Sequence, residues 1–213
     1  MKRKIIFTFF AVIILNIVPL LLKPELIIHF KTVILSVSAI TLWLSQPAFS
    51  TTDMNMNKES DKLSLLFILL ASCISVFSSE IEWAYFTKNK SEINFITTIG
   101  FIFLLSGIIL RVWSINILGK HFTATVKVTK EHELIKSGPY HYIRHPSYLG
   151  ALIAITGCPL FLNNSVTVVV CFTVMMLAYY FRIMFEEKAL SSHFGQFYED
   201  YKKNTYRLLP LIW

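Results

Sequence analysis

Apolar residues fall into six runs along the chain, separated by short polar intervals. Residues 5–22 follow Lys2-Arg3-Lys4 and approach the ~20 residues that span a bilayer. Only Lys23-Pro24-Glu25 comes after them, with no small-residue cleavage site, so the run reads as an uncleaved first helix rather than a signal peptide. A second run, 26–43, is interrupted only by His29 and Lys31 near its start and closes before Gln46-Pro47. The polar stretch 50–62 leads into a third run, 63–86, with Glu80, Glu82 and Trp83 expected at its far interface. The loop 88–92 leads into a fourth run, 93–118, in which Gly100 and Gly107 share one face and suit close helix packing in lipid. Two further runs, 149–162 and 165–185, are joined by the stretch from Pro159 to Asn164 and read as a helical hairpin whose first arm is short for a full span. The pattern predicts an all-α polytopic membrane protein of four transmembrane helices plus a C-terminal helical hairpin.

Composition sharpens this picture. At 54% hydrophobic and 15% charged residues, the chain is too apolar for an ordinary soluble domain. The formal net charge of +7 raises the question of nucleic acid. The cations are scattered between apolar runs and form no basic stripe, so positive-inside topology accounts for them and nucleic-acid binding is not expected. Lys2, Arg3 and Lys4 lie on one side, and four crossings return the chain to that side for Lys120, Lys127, Lys130, Lys136 and Arg144. The hairpin then brings Lys188, Lys202, Lys203 and Arg207 back again, which places both polar clusters and both termini in the cytoplasm. Cys73, Cys158 and Cys171 lie in apolar segments without metal or redox spacing and read as small buried hydrophobes.

Chemically able side chains concentrate between His132 and Tyr148. Gly138-Pro139 marks a turn, and His145-Pro146 marks a helix start, because proline fits the first helical position where its missing N–H costs nothing. Free N–H groups at that start, beside Arg144 and His145, predict an anion-binding corner at the membrane edge. A second cluster, Arg182-Ile-Met-Phe-Glu186-Glu187, ends the hairpin's return helix. Arg182 and Glu186 stand at i and i+4 and share one face, either as a local ion pair or as two groups reaching one pocket. Arg111 either snorkels to the interface or faces a polar cavity. His141 and His145 are also i and i+4, but a proline follows and no acidic residue is near, so no metal site is expected. The aromatic tail from Phe194 to Tyr201, ending in Arg207 to Trp213, suits an interfacial position, as a plain anchor or as a cover over a pocket.

Taken jointly, His132-Glu-Leu-Ile, Gly138-Pro139-Tyr140, Arg144-His145-Pro146-Ser147-Tyr148, Arg182 with Glu186-Glu187, and Phe194-Gly195 followed by two tyrosines resemble the isoprenylcysteine carboxyl methyltransferase family of integral-membrane enzymes. The resemblance covers about the last 100 residues. It implies S-adenosyl-L-methionine as methyl donor in a cytoplasmic cofactor pocket, and a lipophilic or prenylated acceptor entering from the bilayer lipid. Carried over by position, it implies that His132, Glu133, Leu134, Ile135, Tyr140, His145, Pro146, Ser147, Tyr148 and Glu186 bind the cofactor. It also implies that Arg182 orients the acceptor. Where the family often has a glutamine seven residues before the first histidine, this chain has Thr125, so one cofactor hydrogen bond is missing or supplied differently. The whole chain, 1–213, then forms one membrane domain in which 1–92 anchor and 93–213 form the methyltransferase core.

The residue types fit such chemistry without a catalytic triad. A carboxylate acceptor, with a reference pKa of about 3.5, is already an anion at neutral pH and needs no general base, so positioning is the main task. Arg182 can grip a carboxylate through its planar fork, and the hairpin can exclude water. The glycine-rich strand-turn-helix fingerprint of a soluble dinucleotide-type fold is absent from the sequence. Two other functions share parts of the pattern: phospholipid N-methylation shares the paired glutamates, and an NADPH-dependent membrane reductase of the sterol reductase type shares the tyrosine-rich tail.

Overall fold

A computed structural model describes residues 8, 10–45, 59–122 and 134–210. His132, Glu133, Thr125, Lys127 and Lys130 lie outside the described residues. Among those described there is no strand, only an isolated parallel bridge between Ile143 and Tyr206. Seven longer helices carry the described residues. They are α1 (Phe10–Leu20), α2 (Phe30–Ser45), α3 (Glu59–Ile81), α4 (Phe95–Leu118), α5 (Pro146–Phe161), α6 (Val166–Phe194) and α7 (Gln196–Lys203). The all-α membrane architecture expected from the apolar runs is therefore present. Length and apolar composition suffice for a full crossing in Leu63–Phe86, in α4 and in α6, whereas α1, α2 and α5 are shorter apolar helices.

Local chemistry sets most of the ends. Asn94 accepts from the Thr97 N–H at 2.9 Å while the Thr97 hydroxyl accepts from the Asn94 N–H at 2.8 Å, a reciprocal cap that starts α4 two residues later than the apolar run. Pro146 stands at the first position of α5, as expected. Pro159, read from sequence as part of the hairpin loop, lies inside α5 near its last turn. The largest departure is α6, which runs 29 residues to Phe194 rather than stopping near Phe185. The hairpin's return arm is therefore long enough to cross a bilayer and to carry Arg182, Glu186 and Glu187 on its last turns.

The far end of α3 differs from the interfacial position expected for it. Glu80 and Trp83 are fully buried, and only Glu82 has the predicted edge character. Glu82 Oε1 accepts from the Ser165 and Val166 N–H groups at 3.0 and 3.1 Å, and Oε2 from Thr167 N–H at 2.7 Å. A carboxylate from one helix thus satisfies the open donors, and the positive dipole end, of another.

Helices α4 and α5 are joined backbone to backbone. A Cβ built on Gly107 would lie 2.4 Å from Ala154 N and 2.5 Å from Gly150 O, and one on Gly100 would lie 2.1 Å from Phe161 N. Across the interface, a Cβ built on Gly150 or on Gly157 would lie 2.6 Å from Arg111 N or Leu104 N, respectively. Close approach of this kind replaces the hydrophobic drive that lipid removes. Gly107→Leu is accordingly expected to abolish monodisperse protein in detergent, because the obstruction is backbone and no rotamer relieves it; size-exclusion chromatography checks this. Two buried clusters flank this seam. One centres on Leu20, Leu35, Trp83, Leu104 and Phe161, and the other on Leu152, Met175, Tyr179, Ile183 and Leu208.

Candidate active site

The site forms where the start of α5, the last turns of α6 and the C-terminal tail converge. Gly138 takes φ +58°, which favours glycine, and opens a 3-10 turn, Gly138–His141, that buries Pro139 and Tyr140. Tyr140 donates to Ser114 O on α4 at 3.4 Å, and Tyr201 of α7 donates to Tyr140 O. Burial holds both hydroxyls far above the ordinary phenolic range, so they remain protonated donors.

Beyond this turn the tail is strapped onto residues 142–145. Tyr206 N–H donates to Tyr142 O at 2.9 Å, Arg144 N–H to Tyr206 O at 2.8 Å and His145 N–H to Arg207 O at 3.2 Å. Arg144 also donates through Nη1 to Lys202 O at 3.2 Å and to Thr205 O, and Leu208 is fully buried in the core between α5 and α6. The tail therefore does more than lie against an interface: it closes the edge of the site. Phe197 is left exposed, while Tyr198 and Tyr201 point inward.

Two adjacent glutamates on α6 do different work here. Glu187 is buried, and its Oε1 accepts from Arg144 Nε at 2.8 Å and lies 3.3 Å from His145 Nε2. Its Oε2 accepts from Arg207 Nε at 3.0 Å and lies 2.9 Å from Nη2. The anion held by the corner at Arg144 and His145 is thus the chain's own Glu187. The backbone of that corner is partly engaged too, since Tyr148 and Leu149 N–H both donate to His145 O at 3.1 Å. Glu186, with 27% of its side chain exposed, faces the other way. Its Oε2 accepts from the Tyr148 hydroxyl at 2.7 Å, and Oε1 lies 3.8 Å from His145 Nδ1, beyond hydrogen-bond length.

Tyr148 links the groups. Its ring stacks between His145 at 5.7 Å and Tyr179 at 5.0 Å, and its hydroxyl receives a bond from Arg182 Nε at 3.3 Å while donating to Glu186. Arg182 is buried and also donates to Ser64 Oγ of α3 at 3.1 Å. Arg182 and Glu186 are consequently bridged through Tyr148, an arrangement the i,i+4 spacing alone did not reveal. Arg111 is likewise buried and turned inward, with Nη1 donating to Ser147 O at 2.9 Å and Ser147 Oγ at 3.2 Å. This settles the choice between interface and interior for that residue.

His145, Ser147, Tyr148, Arg182 and Glu186 are thus gathered within one constellation, with Pro146 starting the helix that presents them and Tyr140 buried beneath the tail. Leu134 and Ile135 are half-buried before Gly138, and no hydrogen bond among the described residues ties them to the Tyr148–Glu186 pair. Sequence reasoning did not assign roles to Ser64, Tyr179 and Arg207. A serine, a tyrosine in an apolar helix and a tail arginine carry no spacing signal of their own.

Arg111, Tyr148 and Arg182 also line one end of a cavity of about 180 Å³ whose other helical lining residues come from α1, α2 and α3 and from α4, α5 and α6. Its wall is predominantly apolar, and it continues to Glu80. The 16 residues from Ser64 to Glu80 correspond to roughly 24 Å along α3. Among the described residues no group of three or more His, Cys, Asp or Glu is placed to hold a metal ion.

Comparison with known proteins gives the same reading from a different direction. Residues 98–192 match the isoprenylcysteine carboxyl methyltransferase family. Protein-S-isoprenylcysteine O-methyltransferase B of Arabidopsis thaliana is 32% identical over 145 residues, covering 67% of this chain and 73% of the relative. The protein-S-isoprenylcysteine O-methyltransferase of Dictyostelium discoideum is 32% identical over 162 residues, 71% of this chain and 68% of the relative. A solved structure of the eukaryotic intramembrane Ras methyltransferase ICMT shares the fold, with a TM-score of 0.61 at 22% identity over 97% of this chain and 74% of that one. The matched segment contains the α4–α5 glycine seam, the Tyr148 stack and the Arg182–Glu186 turn of α6, and with it the chain belongs to the isoprenylcysteine carboxyl methyltransferase family.

Proposed function

We propose that this membrane protein transfers a methyl group from S-adenosyl-L-methionine to the carboxylate of a prenylated cysteine or a similar lipid-like acid. The observation that carries the reading is the cavity: a long apolar slot whose polar end is formed by two arginines and opens beside a half-open carboxylate, Glu186. A lipophilic acid fits it in one direction only, with its chain among apolar side chains and its carboxylate against Arg111 and Arg182. Among the described residues both hydrogen bonds of Arg111 leave from Nη1, which leaves the rest of its guanidinium for a ligand. The same two positive charges oppose an amine acceptor, which disfavours phospholipid N-methylation.

The cofactor fits the residues beside this end. Among the described residues Glu186 keeps an oxygen without a hydrogen bond, and the His145–Tyr148–Tyr179 stack offers aromatic surface next to it. Glu186, His145, Ser147, Tyr148 and Tyr140, together with Leu134, Ile135 and the His132-Glu133 segment, would hold it. When bound, the sulfonium supplies an electrophilic methyl group. The chain's own residues orient the two reactants. Tyr148 fixes Glu186 through its hydroxyl, the Nε bond of Arg182 to Tyr148 sets its guanidinium beside that pair, and the arginines hold the acceptor carboxylate in line while the apolar helices exclude water. Residues 93–213 carry the transfer chemistry, and residues 1–92 both anchor the chain and complete the acceptor wall. The strap, the site and the basic segments then face the cytoplasm.

Purified protein with labelled S-adenosyl-L-methionine and a panel of prenylated cysteine analogues, fatty acids and aminophospholipids tests the reading. Transfer to the acids supports it, and transfer only to the amines overturns it. Glu186→Gln keeps the Tyr148 bond but removes the charge, and is expected to weaken S-adenosylhomocysteine binding by about tenfold or more at unchanged thermal stability, as measured by calorimetric titration.

A further inference from the structure

The acceptor cavity does not end as an isoprenoid tail alone would require. Glu80 lines it on α3, is fully buried, and among the described residues has no hydrogen-bond partner for either carboxyl oxygen. A carboxyl group in such surroundings is costly whether ionised or neutral, and an apolar side chain of the same size would pack against a hydrocarbon end at no such cost. Two more polar side chains line the same cavity. Asn16 of α1 is buried and donates its amide to Val12 O at 3.2 Å, which engages the amide nitrogen and not the side-chain oxygen. Ser38 of α2 is buried and lines the cavity as well. Three helices therefore bring polar side chains to the wall of this one cavity, and among the described residues neither oxygen of Glu80 receives a hydrogen bond.

We propose that the acceptor carries a hydroxyl group near the chain end remote from the methylated carboxylate, and that Glu80, with Asn16 and Ser38, selects it. The inference rests on the acceptor reading given above and adds the chemical class of the tail. A hydroxyl hydrogen satisfies Glu80 in either protonation state, and its oxygen can accept in return from Ser38. A plain hydrocarbon end leaves the carboxyl unsatisfied, so selection comes as much from rejecting unsubstituted chains as from binding substituted ones.

Two acids of equal chain length, identical except for a terminal hydroxyl, provide the test. Their affinities are measured by calorimetric titration of the full-length protein in lipid nanodiscs of one composition, with S-adenosylhomocysteine present. Wild-type protein is expected to favour the hydroxy acid, relative to Glu80→Leu protein in the same lipid, by about tenfold or more. Taking the ratio between the two proteins cancels the different membrane partitioning of the acids. Glu80→Gln, which retains an acceptor oxygen, is expected to keep part of the preference, and it replaces the leucine variant should that fail to fold. An unchanged ratio in the variants, or no preference in the wild type, overturns the proposal. If both acids bind equally and are methylated, only the tail inference falls; if neither binds, the acceptor reading falls with it.

Discussion

Arg182→Lys is expected to lower methyl transfer to a carboxylate acceptor by about one to two decades while leaving S-adenosylhomocysteine affinity nearly constant. The guanidinium of Arg182 reaches the Tyr148 hydroxyl through Nε and the Ser64 hydroxyl through Nη1, so its plane is fixed between α3 and α5. A lysine keeps the charge but presents a single flexible ammonium, which cannot bridge both partners and face a carboxylate as well. One charge-assisted hydrogen bond contributes roughly 1.5–3 kcal/mol, and each 1.4 kcal/mol is about a decade in rate. Cofactor affinity stays because Glu186 is held directly by Tyr148, whose own bond to the carboxylate does not pass through Arg182. Initial rates with labelled methyl donor, beside a calorimetric titration of each variant, separate the two quantities. A parallel loss of rate and cofactor affinity would show instead that Arg182 acts through the Tyr148–Glu186 pair.

The second large effect is expected at Glu187, one residue away from the proposed cofactor contact Glu186. Glu187→Ala removes the shared partner of Arg144 and Arg207 and the neighbour of His145, leaving the nearly buried Arg144 without its counter-charge. Breaking a buried pair on one side costs about 3–5 kcal/mol, because the surviving charge stays desolvated. In a chain of this size that corresponds to a fall in unfolding midpoint of roughly 6 °C or more. The strap between residues 142–145 and 204–208 loses its central link at the same time, so cofactor binding should fall with stability. Glu186→Gln is expected to lose binding alone. Differential scanning fluorimetry and calorimetric titration on both variants make the comparison, and equal stability of the two would remove the structural role assigned to Glu187.

The contrast between these neighbours shows where reading the sequence stopped. The two glutamates are chemically identical and adjacent, and successive residues on a helix point about 100° apart. One therefore turns toward Arg144 and the tail, and the other toward Tyr148 and the open side of the site. Spacing placed Arg182 and Glu186 on one face, yet the tyrosine that joins them comes from another helix 34 residues away from Arg182. The same limit applies to Glu80. At the end of an apolar run a glutamate reads as an interface residue, whereas the packing of α3 against its neighbours buries it beside the cavity.

By itself the sequence determined the helical membrane class and most helix positions, the proline start of α5, the glycine face of α4 and the residues that carry the family resemblance. The reason is that lipid leaves backbone groups no partner outside the segment, so each crossing must be a long apolar helix and its ends must carry local caps. Those signals are short-range and survive in one dimension. Tertiary structure alone decided how far α6 extends as one helix, that the tail locks onto residues 142–145, which glutamate is buried, and that Arg111 and Arg182 share a cavity reaching Glu80. These depend on the rotation and depth of one helix against another, which are set by side-chain packing among residues far apart in the chain and leave no period or spacing to read.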